Sequence, residues 1–416
     1  MQYPFSERMK KVKRVIIHSD INNCYASIER QLNPSLAGKP IAVCGAAEER
    51  HGIVLAKSYE AKAFGVQTGE AIWQAKNKCH NLIIVSPHYD KYVQYSRLAH
   101  EIYKKYTPLI EPYGLDECWL DVSGSVELAA EIHRRFKEEL VLTVSCGVAS
   151  NKIFAKLGSD MKKPDATTVI PEEGFQELVW PLLVSDLWGV GRQTTKKLDS
   201  YCINTIGALA KTNLQFLQER FGVAGTQLWL YANGRDTSRV ARYGYIAPIK
   251  SIGHGATTAK DMESDEEVWR TILDLTQEIG YKLKKNHLAA RGIQISVRDK
   301  NLFSCQYQMK LEYMTQSTLF LAQAAKLLFF KKHRFTTPLR SITVRAIDLV
   351  PEDTPQQLNL FAGYDKQDDI VRLESAVDRL RERFGNKIVV PASLMEKSCR
   401  PTLSTDFPKM PAPMYH

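Results

Sequence analysis

The fold is decided by a short apolar stretch that ends in a carboxylate, Val15-Ile16-Ile17-His18-Ser19-Asp20. Its β-branched residues predict a buried strand. Asn22 and Asn23 follow at once, and asparagine is favoured at helix starts, so a helix is expected from there through Arg30. The stretch therefore predicts an acid at the end of a buried strand, beside a helix N-terminus.

A second stretch places two acids before a strand, Leu115-Asp116-Glu117-Cys118-Trp119-Leu120-Asp121-Val122. A third strand, with period-two alternation, is expected over residues 142–148. Asn151 can cap the helix that follows, and Pro164 ends that helix. The order of these elements predicts that helices connect strands that each carry polar residues at one end.

The periodicity changes along the chain. Strands alternate with helices across residues 12–170, which indicates an α/β layer with residues 41–88 as an insertion. Short helical segments with glycine pairs fill residues 180–245, and residues 249–350 predict a small α+β domain. The tail, residues 351–416, opens with a linker and contains one amphipathic helix.

The composition favours a polyanionic partner such as nucleic acid, although charge alone would also suit a membrane surface. The chain has 416 residues, 44% of them hydrophobic, and its 56 Lys and Arg against 46 Asp and Glu give a formal charge of +10. Residues 247–350 hold 16 of the basic and 10 of the acidic residues, and so carry +6 of that charge. No apolar run approaches the ~18 residues of a spanning helix. The eight cysteines lack the spacing of a zinc site. We expect a cytoplasmic multidomain protein that is neither exported nor membrane-spanning.

Three carboxylates indicate the chemistry. Asp116 and Glu117 stand side by side, where a cation would relieve their repulsion. Such a pair alone is usually a solvated turn. Asp20, at the end of another strand, adds a third carboxylate, and the three could hold Mg²⁺ through oxygen ligands. The set matches a two-metal phosphoryl-transfer site.

Five segments resemble, in order, the motifs of the Y family of DNA polymerases, the translesion class. They are residues 19–29, 58–66, 113–121, 147–156 and 160–164. The resemblance covers essentially the whole chain and implies a multidomain fold with α/β and α+β parts, a right-hand polymerase. Its domains would be the palm (1–23 and 89–178), the fingers (24–88), the helical thumb with a helix-hairpin-helix (179–245), the little finger (249–350) and a tail with a clamp-binding peptide (351–416).

The resemblance also implies roles at the catalytic site. Asp20, Asp116 and Glu117 would be the catalytic metal ligands for two Mg²⁺ ions, with the backbone carbonyl of Ile21 as a further ligand. One ion would lower the pKa of the primer 3′-hydroxyl and the other would neutralise the triphosphate. Tyr25 resembles the steric gate against a ribose 2′-hydroxyl. The residues that would contact the nucleotide are Cys24, Tyr25, Tyr59, Lys62 and Lys163.

Several departures from the family pattern affect this site. Many members have aspartate where this chain has Asn22, arginine where it has Lys62, an aromatic residue where it has Cys24 and Ser-Ile where it has Gly114-Leu115. None of these changes removes a presumed metal ligand. A lysine lacks the bidentate fork that arginine offers a phosphate, so Lys62 would meet a phosphate as a single charge.

Further positions resemble contacts to macromolecules. Those implied for DNA are Gly189, Gly191, Lys250, Arg298 and Arg345. Those implied for a bacterial sliding clamp are Gln357, Leu358, Leu360 and Phe361. The expected enzyme is a monomer that extends primer-template DNA with dNTPs, with low fidelity and no proofreading, in tolerance of DNA damage.

Two other classes remain as alternatives. A non-catalytic, polymerase-like adaptor would bind DNA and clamp as a scaffold, but such proteins lack the metal carboxylates that this chain has. A nucleotide cyclase on a related palm-like sheet does not explain the thumb-like and little-finger-like regions. Primer extension separates the three classes.

Overall fold

The computed structural model describes residues 14–45, 52–123, 127–334, 336–355, 365–385 and 388–395. The strands in this part of the chain are β1 (Ile16–Ile21), β2 (Ile41–Cys44), β3 (Val54–Lys57), β4 (Ile83–Val85), β5 (Ile110–Tyr113), β6 (Glu117–Asp121), β7 (Val144–Ala149), β8 (Thr167–Val169), β9 (Ile252–Met262), β10 (Leu288–Asp299), β11 (Ser304–Thr315) and β12 (Leu339–Pro351). The helices are α1 (Cys24–Leu32), α2 (Tyr59–Ala63), α3 (Ile72–Lys78), α4 (Tyr89–Tyr103), α5 (Leu128–Arg135), α6 (Lys152–Met161), α7 (Phe175–Val179), α8 (Arg192–Asp199), α9 (Ile206–Lys211), α10 (Leu214–Phe221), α11 (Val223–Ala232), α12 (Asp265–Lys285), α13 (Thr318–Lys332) and α14 (Asp365–Phe384).

The chain divides into two compact units, one that runs to Ile246 and one that begins at Ala247. None of the helices in the described ranges has both the length and the apolarity that a bilayer crossing requires.

The first unit is built on a five-stranded sheet in the order β5-β6-β1-β7-β8. Its central strand, β1, is buried along its whole length. Ile17 packs in one hydrophobic core with Ile132 of α5, whereas Ile16 packs in a second core with Phe154 of α6. Helices therefore cover both faces of this sheet, as the predicted α/β layer requires.

The period-two pattern predicted for residues 142–148 has a different meaning in the structure. Strand β7 is buried at every position, so the alternation does not mark a solvent-exposed face. Gly147 lies directly under α6, and a Cβ there would stand 1.9 Å from the carbonyl oxygen of Ala155. Small residues alternate along β7 because α6 approaches the strand too closely for larger ones.

The predicted insertion forms a sheet of its own. Strand β2 pairs antiparallel with β3 and parallel with β4. Ala42, Val54 and Ala61 lie in the small core of this sheet. Farther along the first unit, α7 to α11 form the predicted helical region, and their buried residues join the core on the α6 side of the five-stranded sheet.

The second unit is a four-stranded antiparallel sheet in the order β11-β10-β12-β9. Its elements follow the order predicted for residues 249–350. Helices α12 and α13 cover one face, where Ile293, Ile295 and Val297 are buried. The residues between them, such as Gln294, are more exposed, as the period of a strand dictates.

The amphipathic helix predicted for the tail is α14, and it is fastened to the two helices of the second unit. The Glu374 carboxylate accepts hydrogen bonds from the backbone N–H of Thr318 at 2.9 Å and of Leu319 at 3.0 Å, at the start of α13. Lys284 of α12 pairs with Asp378 at 2.5 Å. The predicted clamp residues, Gln357, Leu358, Leu360 and Phe361, lie outside the described residues.

Candidate active site

Strand pairing brings the predicted carboxylates together. In the antiparallel register of β1 and β6, Asp20 stands directly opposite Glu117. The backbone N–H of Ile21 donates to the carbonyl of Asp116 at 2.9 Å, which fixes the turn that precedes β6. Gly114 enters that turn with φ +76°, a conformation that glycine adopts without strain. Asp20 and Glu117 therefore lie on adjacent strands of one sheet, and Asp116 lies in the turn next to Glu117.

Asp20 is held by a lysine from the loop after α6. Lys163 Nζ lies 2.7 Å from Asp20 Oδ2 and 2.9 Å from Asp160 Oδ1. Burial raises the pKa of Asp20, the charge of Glu117 raises it further, and Lys163 opposes both. Partial burial lowers the pKa of Lys163, but the charges of Asp20 and Asp160 outweigh burial and leave this pKa raised.

Glu117 has two cationic or polar partners. Lys156 Nζ lies 2.6 Å from Glu117 Oε2, and the buried His18 Nε2 lies 3.2 Å from the same oxygen. Burial alone would raise the pKa of Glu117, but the contact with His18 and the charge of Lys156 outweigh it and lower the pKa to about 2. Glu117 is therefore ionised at neutral pH.

Asp116 differs from its neighbour. No lysine or arginine within the described ranges comes within 4.0 Å of its carboxylate. Burial, followed by the charges of Asp20 and Glu117, raises the pKa of Asp116 to about 7. Its ionised form is costly here unless a positive charge is supplied.

These carboxylates fit a cation in charge but are not gathered around one point. Among the described side chains, no three Asp, Glu, His or Cys residues converge as a ready-made metal site. Asp20 and Glu117 instead face Lys163 and Lys156. A hard cation, which prefers carboxylate oxygens, would relieve the repulsion that raises the pKa of Asp116.

Tyr25 is the second residue of α1 and lies half-buried beside these acids. Its ring stacks on Tyr92 with a centroid distance of 4.1 Å and an interplanar angle of 9°. The preceding Asn23 is the predicted N-cap residue, but it has φ 48° and its side chain makes no capping bond. The predicted side-chain cap of α1 by asparagine is therefore wrong, although the helix begins where expected.

The other predicted nucleotide contacts lie around this point. Tyr59 Oη is 3.4 Å from the Asn22 side-chain oxygen. Lys62 is exposed, with Nζ 5.7 Å from the centre of the Tyr59 ring. Cys24 is only 5% exposed and its side chain packs in the core, so only its backbone could face a nucleotide.

Family models match most of this architecture. The impB/mucB/samB family matches residues 19–160, its C-terminal domain matches residues 249–360, and the thumb domain of DNA polymerase-iota matches residues 185–236. A DNA polymerase IV of Acetivibrio thermocellus is 46% identical over 381 residues, which are 90% of this chain and 96% of that protein. The chain belongs to the Y family of DNA polymerases.

Further relatives agree. DNA polymerase IV 1 of Bacillus subtilis is 34% identical over 404 residues, or 95% of this chain and 97% of that protein. A solved Y-family polymerase chimera, Dbh-Dpo4(243-245)-Dbh, superposes with a TM-score of 0.69 over 81% of this chain and 99% of the chimera, at 24% identity, and so supports the right-hand polymerase fold. This Y-family protein is a DNA-directed DNA polymerase of the translesion class, whose substrates are primer-template DNA and dNTPs. Polymerases of this family use divalent metal ions.

The residues predicted to contact DNA lie in both units of the Y-family chain. Gly189, with φ +90°, and Gly191 are exposed in the turn that leads into α8. In the second unit Lys250, Arg298 and Arg345 are all exposed. Arg298 and Arg345 alternate with buried residues of β10 and β12, so both point away from the helices.

Sequence reasoning missed the side chains that hold the acids in place. In the sequence, Lys156 stands out only as part of a motif and His18 only as the end of an apolar run. In the structure, His18 Nδ1 lies 2.8 Å from Ser159 Oγ on α6. Such partners are far apart in the sequence: His18 and Ser159, for example, are separated by 141 positions. Local pattern carries no signal for such contacts.

Proposed function

We propose that the enzyme extends a primer 3′ end by phosphoryl transfer at Asp20, Asp116 and Glu117. The observation that carries the proposal is the register that places Asp20 opposite Glu117, with Asp116 beside them at a raised pKa. These carboxylates and the Ile21 carbonyl would hold two Mg²⁺ ions. When bound, those ions supply a lowered pKa for the 3′-hydroxyl and charge neutralisation for the triphosphate.

The chain's own residues would bind and orient the nucleotide. Lys163 and Tyr59 lie next to Asp20 and Asn22, where a triphosphate would sit beside the metal ligands. The N-terminus of α1 offers backbone N–H groups to phosphate oxygens. Tyr25, at that terminus, would exclude a ribose 2′-hydroxyl by contact with its ring. Lys62 lies at the edge of these nucleotide-contacting residues and would contact a phosphate by charge alone.

The remaining parts of the proposal follow from the domains. We assign residues 1–23 and 89–178 to the palm, 24–88 to the fingers, 179–245 to the thumb and 249–350 to the little finger. Gly189 and Gly191 would admit a DNA phosphate to the backbone, and Lys250, Arg298 and Arg345 would grip phosphates in the second unit. Low fidelity without proofreading, a monomeric state and a cytoplasmic location complete the proposed function.

Primer extension by the purified protein tests this proposal. Asp116→Asn and Glu117→Gln should each lower the single-turnover rate by at least ~10³-fold, because the bound ions supply several kcal/mol of charge stabilisation. Primer-template affinity should stay near that of the unmodified enzyme, since phosphate contacts elsewhere supply most of it. Substantial incorporation by Asp116→Asn would reject the assignment. Extension by neither variant nor the unmodified enzyme would favour an adaptor.

The tail would bind a sliding clamp through residues 357–361. Leu360 and Phe361 are the expected anchors, and buried anchors usually carry most of a peptide's binding energy. Replacing both with Ala should weaken binding to a bacterial clamp by at least ~2 kcal/mol while clamp-free extension and the melting temperature stay unchanged. Unchanged clamp binding in a direct titration would exclude this partner site.

A further inference from the structure

Three tyrosines form a compact cluster at the start of α1 and α4. Tyr25 stacks nearly parallel on Tyr92, and Tyr89 meets both rings edge-on at centroid distances of 6.1 Å and 5.7 Å. Tyr92 is fully buried, whereas Tyr25 is partly exposed. One face of the Tyr25 ring is thus covered by protein, and the ring keeps its remaining surface for a ligand.

Tyr92 is itself fixed by a buried carboxylate. Its hydroxyl donates to Glu29, which is 2% exposed. Glu29 also accepts the backbone N–H of His88 at 3.2 Å and lies 3.0 Å from His88 Nδ1. The buried ring of Tyr92 is thus held by the packing around it and, at its hydroxyl, by a hydrogen bond to Glu29.

The two contacts of Tyr92 both lead to α1, because Tyr25 and Glu29 belong to that helix. Glu29 is four residues after Tyr25, so both side chains project from the same face of α1. Glu29 holds the far end of Tyr92, and the Tyr92 ring supports Tyr25. The side chain that would face the sugar is therefore braced by its own helix through a residue of α4.

We infer that Tyr92 is a positioning residue that sets the discrimination between deoxyribose and ribose by supporting the ring of Tyr25. The inference rests on the proposed role of Tyr25 as the gate. A ring excludes a hydroxyl only while it is held in place, because an aromatic side chain that can move away leaves room for the extra atom. Removing the stacked ring beneath Tyr25 opens that room.

A purely structural role for Tyr92 predicts a different result. Loss of a buried ring would then lower stability and reduce the use of dNTPs and rNTPs in equal proportion. A positioning role instead changes the ratio of kcat/KM for a dNTP to kcat/KM for the matching rNTP. That ratio separates the two roles.

The experiment measures this ratio for the full chain and four variants, with melting temperatures alongside. Tyr25→Ala reports on the gate itself. Tyr92→Leu removes the stacked ring, and Tyr92→Met fills more of the space without a ring, should the leucine variant fold poorly. Tyr92→Phe is the matched control, because it keeps the ring and loses only the bond to Glu29. We expect the ratio to fall roughly 2- to 10-fold in Tyr92→Leu or Tyr92→Met, the range that an aromatic pair contributes. Tyr92→Phe should retain most of it.

The double variant completes the test. In a Tyr25→Ala background, Tyr92→Leu should change the ratio no further, because the ring that it supports is gone. An unchanged ratio in Tyr92→Leu and Tyr92→Met, with a lowered ratio in Tyr25→Ala, overturns the inference and leaves the gate intact. An unchanged ratio in Tyr25→Ala shows instead that the proposed gate is wrong.

Discussion

Both units pack helices on a β-sheet, but they place their polar residues differently. The five-stranded sheet of the first unit is covered on both faces, so its polar chemistry is confined to strand ends, where Asp20 and Glu117 meet. Among the described residues of the second unit, helices cover one face of the four-stranded sheet. Its open face carries cross-strand polar pairs, such as Gln294 with Gln308 at 3.3 Å. A doubly covered sheet produces a point-like site, and a singly covered one produces an extended polar surface.

The first unit also holds a charge pair inside its covered layers. Lys152 Nζ lies 2.6 Å from Glu111 Oε1, and their side chains are 5% and 1% exposed. Lys152 Nζ stands 4.6 Å from the centre of the Trp119 ring, and Glu111 Oε2 accepts the N–H of Ala241 at 2.9 Å. In contrast, Glu278 and Lys282 pair on the surface of α12, each 32% exposed.

This contrast leads to the largest expected effect. Glu111→Ala should lower the free energy of unfolding by about 3–5 kcal/mol, because it leaves the Lys152 ammonium buried without its partner. Glu278→Ala should cost no more than about 0.5 kcal/mol, as is usual for an exposed pair. Urea denaturation of both variants measures the difference. Equal losses would mean that the cover over β5 and α6 does not exclude water as the structure indicates.

Replacing the adjacent acids Asp116 and Glu117 should change the free energy of unfolding in opposite directions. At pH 8 with a chelator present, Asp116→Asn should raise the free energy of unfolding by about 1–2 kcal/mol, because it removes a charge repelled by Asp20 and Glu117. Glu117→Gln should lower it by about 1–3 kcal/mol, because Lys156 and His18 lose an ionised partner. Thermal denaturation under these conditions checks both. Two changes of the same sign would contradict the electrostatic difference between the acids.

A histidine of the first unit should make the stability of the protein depend on pH. Burial, and then the charge of Lys104, lowers the pKa of His100 to about 4, below its ordinary value of 6.5. The folded state therefore binds this proton less well than the unfolded state. The stability that neutral His100 provides is fully present above pH 6.5 and is lost as the pH falls through 4.

His100→Phe keeps a ring against Tyr243 and removes the titration. Between pH 6.5 and 4, we expect the unmodified protein to lose about 1–2 kcal/mol of stability relative to this variant. A slope that His100→Phe does not reduce would show that another group titrates in this window.

The layers could be predicted from sequence because each has its own period. Residues 249–350 gave the order of strands and helices that β9 to β12, α12 and α13 now show. The strand predicted over residues 142–148 corresponds to β7, Val144–Ala149. Its alternation has a cause that the sequence does not show, because the close approach of α6 to Gly147 is a tertiary contact. Periodicity reports which positions are small or apolar, and only packing reports what covers them.

The site was predictable to the same depth. Asp20, Asp116 and Glu117 adjoin strand patterns in the sequence, and the register that pairs Asp20 with Glu117 puts them at strand ends. Their role as metal ligands stays a prediction. The sequence does not indicate that Lys156 and His18 contact Glu117, or that Lys163, predicted as a nucleotide contact, pairs with Asp20. Glu29 was likewise hidden, since a glutamate in a helix is normally solvated. Buried polar contacts between distant residues need the fold before they can be recognised.

The open face of the second unit gives the smallest expected effect. Arg345 stands opposite Gln294, and Arg298 stands opposite Ser341, so the two arginines lie two rows apart on one face. If each contacts one phosphate, Arg298→Ala or Arg345→Ala should weaken primer-template binding by about 1 kcal/mol at most and reduce the salt slope by about 1. The loss should be similar for all DNA sequences. Lys331→Ala, at the end of α13 and also exposed, removes the same charge away from this face and is the matched control. Binding titrations over a range of salt concentrations measure the slope, and the single-turnover rate at saturating DNA should not change. A slope altered equally by Lys331→Ala would mean that the enzyme's overall charge, rather than the open face, holds the DNA.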